Sequence, residues 1–300
     1  MRLLILAFLV LATTAARAGE EVRELTIGGH VVQATLRLPA QPGPDMPVVL
    51  MTHGTLAHKD METIQSLSKA LAERGIASLA HTLALGVDRR KGMYDCSIGH
   101  DYTADDAVAE IDAWVVEAAK VSRRVYVLGH SRGGNEVARY LASQPTESVA
   151  GAVLLAPATA TVESGLRAGY AATFGEALEP WLGRAEAKVA AGRGDEWMTV
   201  PGFIYCRGGK VTARAFAAFY RADRRQDTAA LIADLDTPVL VLAAAQDRTV
   251  PDVESSFGPL AAGATGRVWL ETIEGADHYF LDLAADDAAD RIASFVAAAR

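Results

Sequence analysis

The chain has 300 residues, half of them hydrophobic, and carries 37 acidic against 29 basic side chains for a formal net charge of −8. That balance excludes the basic surface that nucleic acid or an anionic membrane demands, and leaves small neutral or cationic molecules as the expected partners. No tandem repeat, low-complexity tract or long charge block interrupts it, so the length suits one large α/β domain or two small ones.

Residues 1–18, MRLLILAFLVLATTAARA, place one basic residue ahead of an unbroken apolar stretch from Leu3 to Ala12 and small residues at Ala16 and Ala18. This is the order of a secretory signal peptide, with cleavage expected after Ala18. The apolar stretch falls well short of the roughly 20 residues that cross a bilayer, and no later run reaches that length. The mature chain is therefore expected to be exported, to the periplasm or the medium, with no membrane span. Cleavage removes two arginines and no acid, moving the charge from −8 to −10.

Next, VRELTIGGHVVQATLRLPA (22–40) has β-rich halves around Gly28-Gly29 and predicts an antiparallel hairpin at a sheet edge. Six short apolar runs follow: PVVLMTH (47–53), GIASLAH (75–81), RVYVLGH (124–130), SVAGAVLLAP (148–157), TPVLVLAAAQD (237–247) and RVWLETI (267–273). They are too continuous for a sheet with one wet face and predict buried parallel strands. Between them, 61–75 and 103–120 show apolar spacing near 3.6, and Thr103 with Asp106 has the form of a capping box. Strand and helix in alternation predict an α/β fold, a doubly wound, mostly parallel sheet with helices on both faces.

At the join of the 124–130 strand and the following amphipathic run stands Gly129-His130-Ser131-Arg132-Gly133. The chain must reverse there within about one residue, with glycines where a side chain would strike the neighbouring strand and helix, so Ser131 is expected in a strained turn at a helix N-terminus. Unpaired N–H groups at such an end favour negative charge. The alternative is an ordinary glycine-rich turn carrying an incidental serine.

A serine needs a base and an orienting acid. Asp247 lies just past the carboxyl end of the 237–247 strand, and His278 follows the 267–273 strand in Glu274-Gly275-Ala276-Asp277-His278. His278 is the candidate general base and Asp247 the acid that fixes its tautomer, with Asp252 as the nearest competitor and Asp277 a loop residue. After the 47–53 strand, His53-Gly54-Thr55 offers the Thr55 N–H as an oxyanion donor, with the Arg132 N–H as its partner; His53 reads as a brace for that loop. The remaining histidines lack metal-ligand spacing, and no G-x-G-x-x-G dinucleotide motif is present, so neither a metal nor a cofactor is expected.

Taken together, His53-Gly54-Thr55, Gly129-His130-Ser131-Arg132-Gly133, Asp247 with Val250-Pro251, and Gly275-Ala276-Asp277-His278 resemble the α/β-hydrolase fold superfamily over residues 21–300. The resemblance implies an eight-stranded sheet and a serine hydrolase acting through an acyl-enzyme. With serine as nucleophile it is similar to the esterase, lipase, thioesterase and peptidase branches.

The expected organisation is a signal peptide at 1–18, a core of 19–157 and 237–300, and a helical cap inserted at 158–236. The cap holds nine of the chain's 20 aromatic residues, most of them expected to pack the cap onto the core and the rest to wall an apolar site, and its near-balanced charge makes an uncharged acyl ester the expected substrate. In this architecture the cap lies above the same sheet edge as the loop containing Cys96, so the chain's two cysteines, Cys96 and Cys206, are candidates for a disulfide; two separate thiols are the alternative. Two classes of function remain: an exported hydrolase of carboxylic esters, thioesters or amides, including a serine peptidase, or a hydrolase-like scaffold that binds a ligand without turnover.

Overall fold

The computed structural model describes residues 19–43, 45–143, 148–263 and 266–298. The expected signal segment lies outside the described residues. β1 (Gly19–Ile27) and β2 (His30–Leu38) form the expected hairpin, pairing Ile27 with His30 across Gly28-Gly29. Both glycines have positive φ, +57° and +88°, which the tight turn requires and a side chain would resist.

Six further strands complete the sheet: β3 (Val48–Thr52), β4 (Ala77–His81), β5 (Val125–His130), β6 (Val149–Leu155), β9 (Val239–Ala244) and β10 (Val268–Ile273). Their order is β1-β2-β4-β3-β5-β6-β9-β10; β2 pairs antiparallel with both β1 and β4, and the remaining neighbours are parallel. The central strands β3, β4, β5 and β9 are buried at every position, as their continuous apolar runs predict. β10 differs: it is the sheet's edge, buried only at its two ends, with Trp269 exposed.

Alternate residues of each strand serve different layers. In β5, Val125 and Val127 join the core beneath α2 (Ala104–Val121) and α3 (Arg132–Ser143), while Tyr126 and Leu128 join the one beneath α1 (Glu62–Glu73) and α10 (Leu283–Ala298). The Thr103–Asp106 capping box forms, Asp106 accepting from the Thr103 N–H at 2.7 Å and Thr103 from the Asp106 N–H at 3.4 Å.

Between β6 and β9 run α4 (Ala160–Ala168), α5 (Tyr170–Phe174), α6 (Glu179–Ala190), β7 (Trp197–Phe203), β8 (Cys206–Thr212), α7 (Ala213–Tyr220), a 3₁₀ turn (Arg224–Gln226) and α8 (Thr228–Ala233). The hairpin β7–β8 was not expected in an otherwise helical insertion. Pro201, Gly202, Gly208 and Gly209 interrupt its alternation, and Gly202 makes room for the Phe174 ring, which a Cβ there would approach to 2.0 Å. Tyr170, Phe203, Phe216 and Tyr220 build a separate small core for the insertion, whereas Leu231 and Ile232 of α8 return to the main core. α9 (Val253–Ala261) covers the sheet beyond β9.

The insertion is fastened to the loop before α2. Cys96 and Cys206 form a disulfide with Cα atoms 5.3 Å apart. Beside it the backbone of His100 bridges to β8, donating to Lys210 O at 2.8 Å and accepting from Thr212 N at 2.9 Å, and Arg214 pairs with Asp101 and Asp106.

Candidate active site

β5 ends at His130 and α3 begins at Arg132, so Ser131 alone makes the reversal, at φ +55°. For a residue with a Cβ this is strained backbone. It is held by three main-chain bonds: Ser131 N donates to Leu155 O, and Ser131 O accepts from Gly134 N and Ala158 N, each at 2.9 Å. The flanking glycines are sterically obligatory. A Cβ on Gly129 would lie 2.1 Å from Gly133 O, and one on Gly133 would lie 2.4 Å from His53 O.

The loop after β3 passes against this turn, so that a Cβ on Gly54 would stand 3.2 Å from Ser131 Cβ. His53 fixes the loop from behind. Its Nδ1–H donates to Gly54 O at 2.8 Å, while Nε2 accepts from Leu83 N at 3.1 Å, the tautomer these partners require. Burial holds the ring's pKa well below its ordinary value, and the neighbouring Arg90 adds to the effect. His53 is thus a brace, as expected. Arg132 links the two residues named as oxyanion donors: its Nε donates to Thr55 Oγ1 at 3.1 Å, its guanidinium pairs with Glu163 at 2.8 Å, and it stacks 4.7 Å above Phe219.

His278 Nδ1 and Asp247 Oδ2 are 2.8 Å apart, both residues buried. Burial works to raise the Asp247 pKa, but the bond from His278 and those from Val250 N and Thr249 N hold it below the usual carboxylate value. With Nδ1 donating to Asp247, the other ring nitrogen of His278 is left as an acceptor. The competitor Asp252 is engaged elsewhere, accepting from Thr159 and Ser256, and Asp277 accepts from the Tyr279 N–H in its own loop.

One contact had no signal in the sequence. His130 Nε2–H donates to the main-chain oxygen of His278 at 2.8 Å, with the two rings 4.9 Å apart. Burial pushes the His130 pKa down to about 4, so the ring is neutral when it does this. The residue before Ser131 thereby fixes the loop that carries His278.

Two spaces are lined by the residues named above. A cavity of about 70 Å³ starts at Gly54, Thr55 and Arg132 and runs between α3 and the insertion. A separate cleft, sharing no lining residue with it, is lined by Asp247, Arg248, His278 and Tyr279.

Among known proteins, a bifunctional esterase/perhydrolase of Acinetobacter calcoaceticus is 39% identical over 116 residues, a match spanning 38% of this chain and only 38% of that protein. A non-heme chloroperoxidase of Burkholderia pyrrocinia is 29% identical over 272 residues, 81% of this chain and 90% of that protein. The structure of Est1E from Butyrivibrio proteoclasticus superposes with a TM-score of 0.63 at 20% identity, covering 93% of this chain and 98% of that one, a likeness of fold. The sequence profile of the alpha/beta hydrolase family matches residues 48–295, and the chain belongs to that family.

Proposed function

We propose that this protein is an exported serine hydrolase of carboxylic esters that works through Ser131, His278 and Asp247 and an acyl-enzyme. The observation that carries the reading is the buried Asp247–His278 hydrogen bond, formed by loops after β9 and β10, with the His278 main chain bonded to His130, the residue before the serine held at φ +55°. The similarity to an esterase/perhydrolase supports an ester as substrate.

In this reading His278 takes the Ser131 proton as the oxygen attacks the ester carbonyl, and Asp247 stabilises the imidazolium that results. The Thr55 and Arg132 N–H groups receive the oxyanion, and the Arg132–Thr55 side-chain bond keeps their two segments in register. His278 then protonates the departing alcohol, and water repeats the sequence on the acyl-enzyme. Residues 158–236 act as the cap, over a core of 19–157 and 237–300. Export rests on residues 1–18 and agrees with the Cys96–Cys206 disulfide; among the described residues no helix is long and apolar enough to cross a membrane.

A fluorophosphonate probe should label Ser131, and Ser131→Ala should lower turnover of p-nitrophenyl butyrate by about 10⁴-fold or more, with His278→Ala comparable. Asp247→Asn should do severe damage and Asp252→Asn little. An unlabelled serine, or undiminished turnover in Ser131→Ala, would leave the chain a ligand-binding scaffold.

A further inference from the structure

Arg132, Asn135, Glu136 and Arg139 recur at helical spacing on one face of α3, and that face walls the cavity that begins at Thr55. Three of the polar groups along it are poorly matched to a merely structural role. Glu136 is only 8% exposed, yet its carboxylate has no hydrogen-bond or ion-pair partner among the described residues. Arg139, equally buried, donates through Nε to Asn135 but has no carboxylate within ion-pair distance among those residues. The Tyr102 hydroxyl, also at the cavity, is buried without a hydrogen-bond partner. Leaving such groups unmatched is costly, and apolar residues of the same size would remove the cost.

The cavity's position assigns it a half of the substrate. The leaving alcohol must be protonated by His278, so it departs on the side that His278, Asp247 and Tyr279 line. The acyl half therefore points the other way, past Thr55 and along α3. Leu83, Leu85, Phe203 and Phe219 give it apolar walls, and about 70 Å³ admits a short chain, being several times the space of one water. Glu136 is five residues beyond Ser131, about 7.5 Å along the helix axis, the reach of a chain of roughly six carbons.

We propose that this cavity is the acyl subsite and that it selects acyl groups bearing a hydroxyl about six carbons from the ester, which donates to Glu136 and accepts from Tyr102 or Arg139. The proposal rests on the hydrolase reading above and adds its substrate class. A hydroxyl matches the wall because it is neutral and both donor and acceptor, whereas a carboxylate there would face Glu136. Burial pushes the Glu136 carboxyl up to about 7 in spite of the two arginines, and in either protonation state it can bond a hydroxyl.

The test compares kcat/KM of the full mature protein for methyl hexanoate, methyl 6-hydroxyhexanoate and monomethyl adipate. The hydroxy ester should exceed the plain one by about tenfold or more, and the adipate should be the poorest. In Glu136→Leu the hydroxy-to-plain ratio should collapse to near one, and in Tyr102→Phe, which deletes a single atom and keeps the fold if the first variant does not, it should fall severalfold. A ratio near one in the unaltered protein, a preference for adipate, or a ratio unmoved in both variants overturns the subsite. No turnover of any of the three by protein whose Ser131 still labels also overturns it, while failure to label removes the hydrolase reading itself.

Discussion

The core of this hydrolase and the insertion proposed as its cap are held together by different means. The core is a continuous sheet whose central strands are buried on both faces, and it tolerates polar groups only where they are enclosed, as at His53, His81, His130 and Glu110. The cap surrounds a small cluster of aromatic rings and adds no strand to that sheet. Apart from α8, whose Leu231 and Ile232 join the main core, it is held by discrete fastenings: the disulfide, the His100 bridge and the ion pairs of Arg214 near the start of α2, and Arg132 against Glu163 and Phe219. A contiguous sheet resists local damage through many small contacts, whereas a cap fixed at a few points responds to each of them separately.

That contrast can be broken first at two glycines. Gly129→Ala drives its Cβ into backbone, Gly133 O and Gly134 N, that cannot retreat without opening the turn; Gly202→Ala meets only the Phe174 ring, which can swing. Gly129→Ala should cost more than about 4 kcal/mol or abolish folding, and Gly202→Ala about 1–3 kcal/mol, with denaturant titration as the measurement. Equal losses would show that the cap is as rigid as the core.

Next comes the polar interior of the core. Burial pushes the Glu110 carboxyl up to about 8 although Ala84 N donates to it. The folded chain then keeps a proton that the unfolded chain releases above its ordinary value near 4.5, so this group's contribution to stability falls as pH rises from there through 8. His53, His81 and His130, held neutral by burial, act in the opposite direction below pH 6.5, but they are common to both proteins in a comparison with Glu110→Gln. The stability gap should shift in favour of Glu110→Gln by roughly 3–4 kcal/mol between pH 5 and pH 8. A gap that does not move would mean that Glu110 titrates normally.

A further effect is expected at the cap's covalent fastening. Exported protein should begin at Gly19 and yield a linked Cys96–Cys206 peptide under non-reducing digestion. Reduction, or the double change Cys96→Ser and Cys206→Ser, should cost about 2–4 kcal/mol. It should alter acyl selectivity more than the rate on a minimal ester, because the wall contributed by Phe203 and Phe219 belongs to the cap while Ser131 belongs to the core.

The same contrast explains what was legible in the sequence. The strands of the core announced themselves because burial on both faces leaves an uninterrupted apolar run, and Ser131, Asp247 and His278 stood out because each follows such a run. β7–β8 did not, since its residues are chosen by the Phe174 ring and by solvent rather than by a sheet, and glycines and a proline erase the alternation. The same apolar signal predicts β10 as buried, yet it is an edge; a strand's place in a sheet is set by its neighbours, which lie far off in the chain. The partnership of His130 with the His278 carbonyl and the polar wall of Glu136, Arg139 and Tyr102 were hidden for that reason too.

The hydrogen bond from His130 to the main chain of His278 spans 148 residues. Contacts so distant in sequence close late, after the local helices and hairpins have formed, because the loop entropy must be met before they are rewarded. Catalytic competence in this chain is therefore a property of the finished topology: a fragment or a partly refolded molecule can have its full complement of helix and still lack the geometry on which turnover depends.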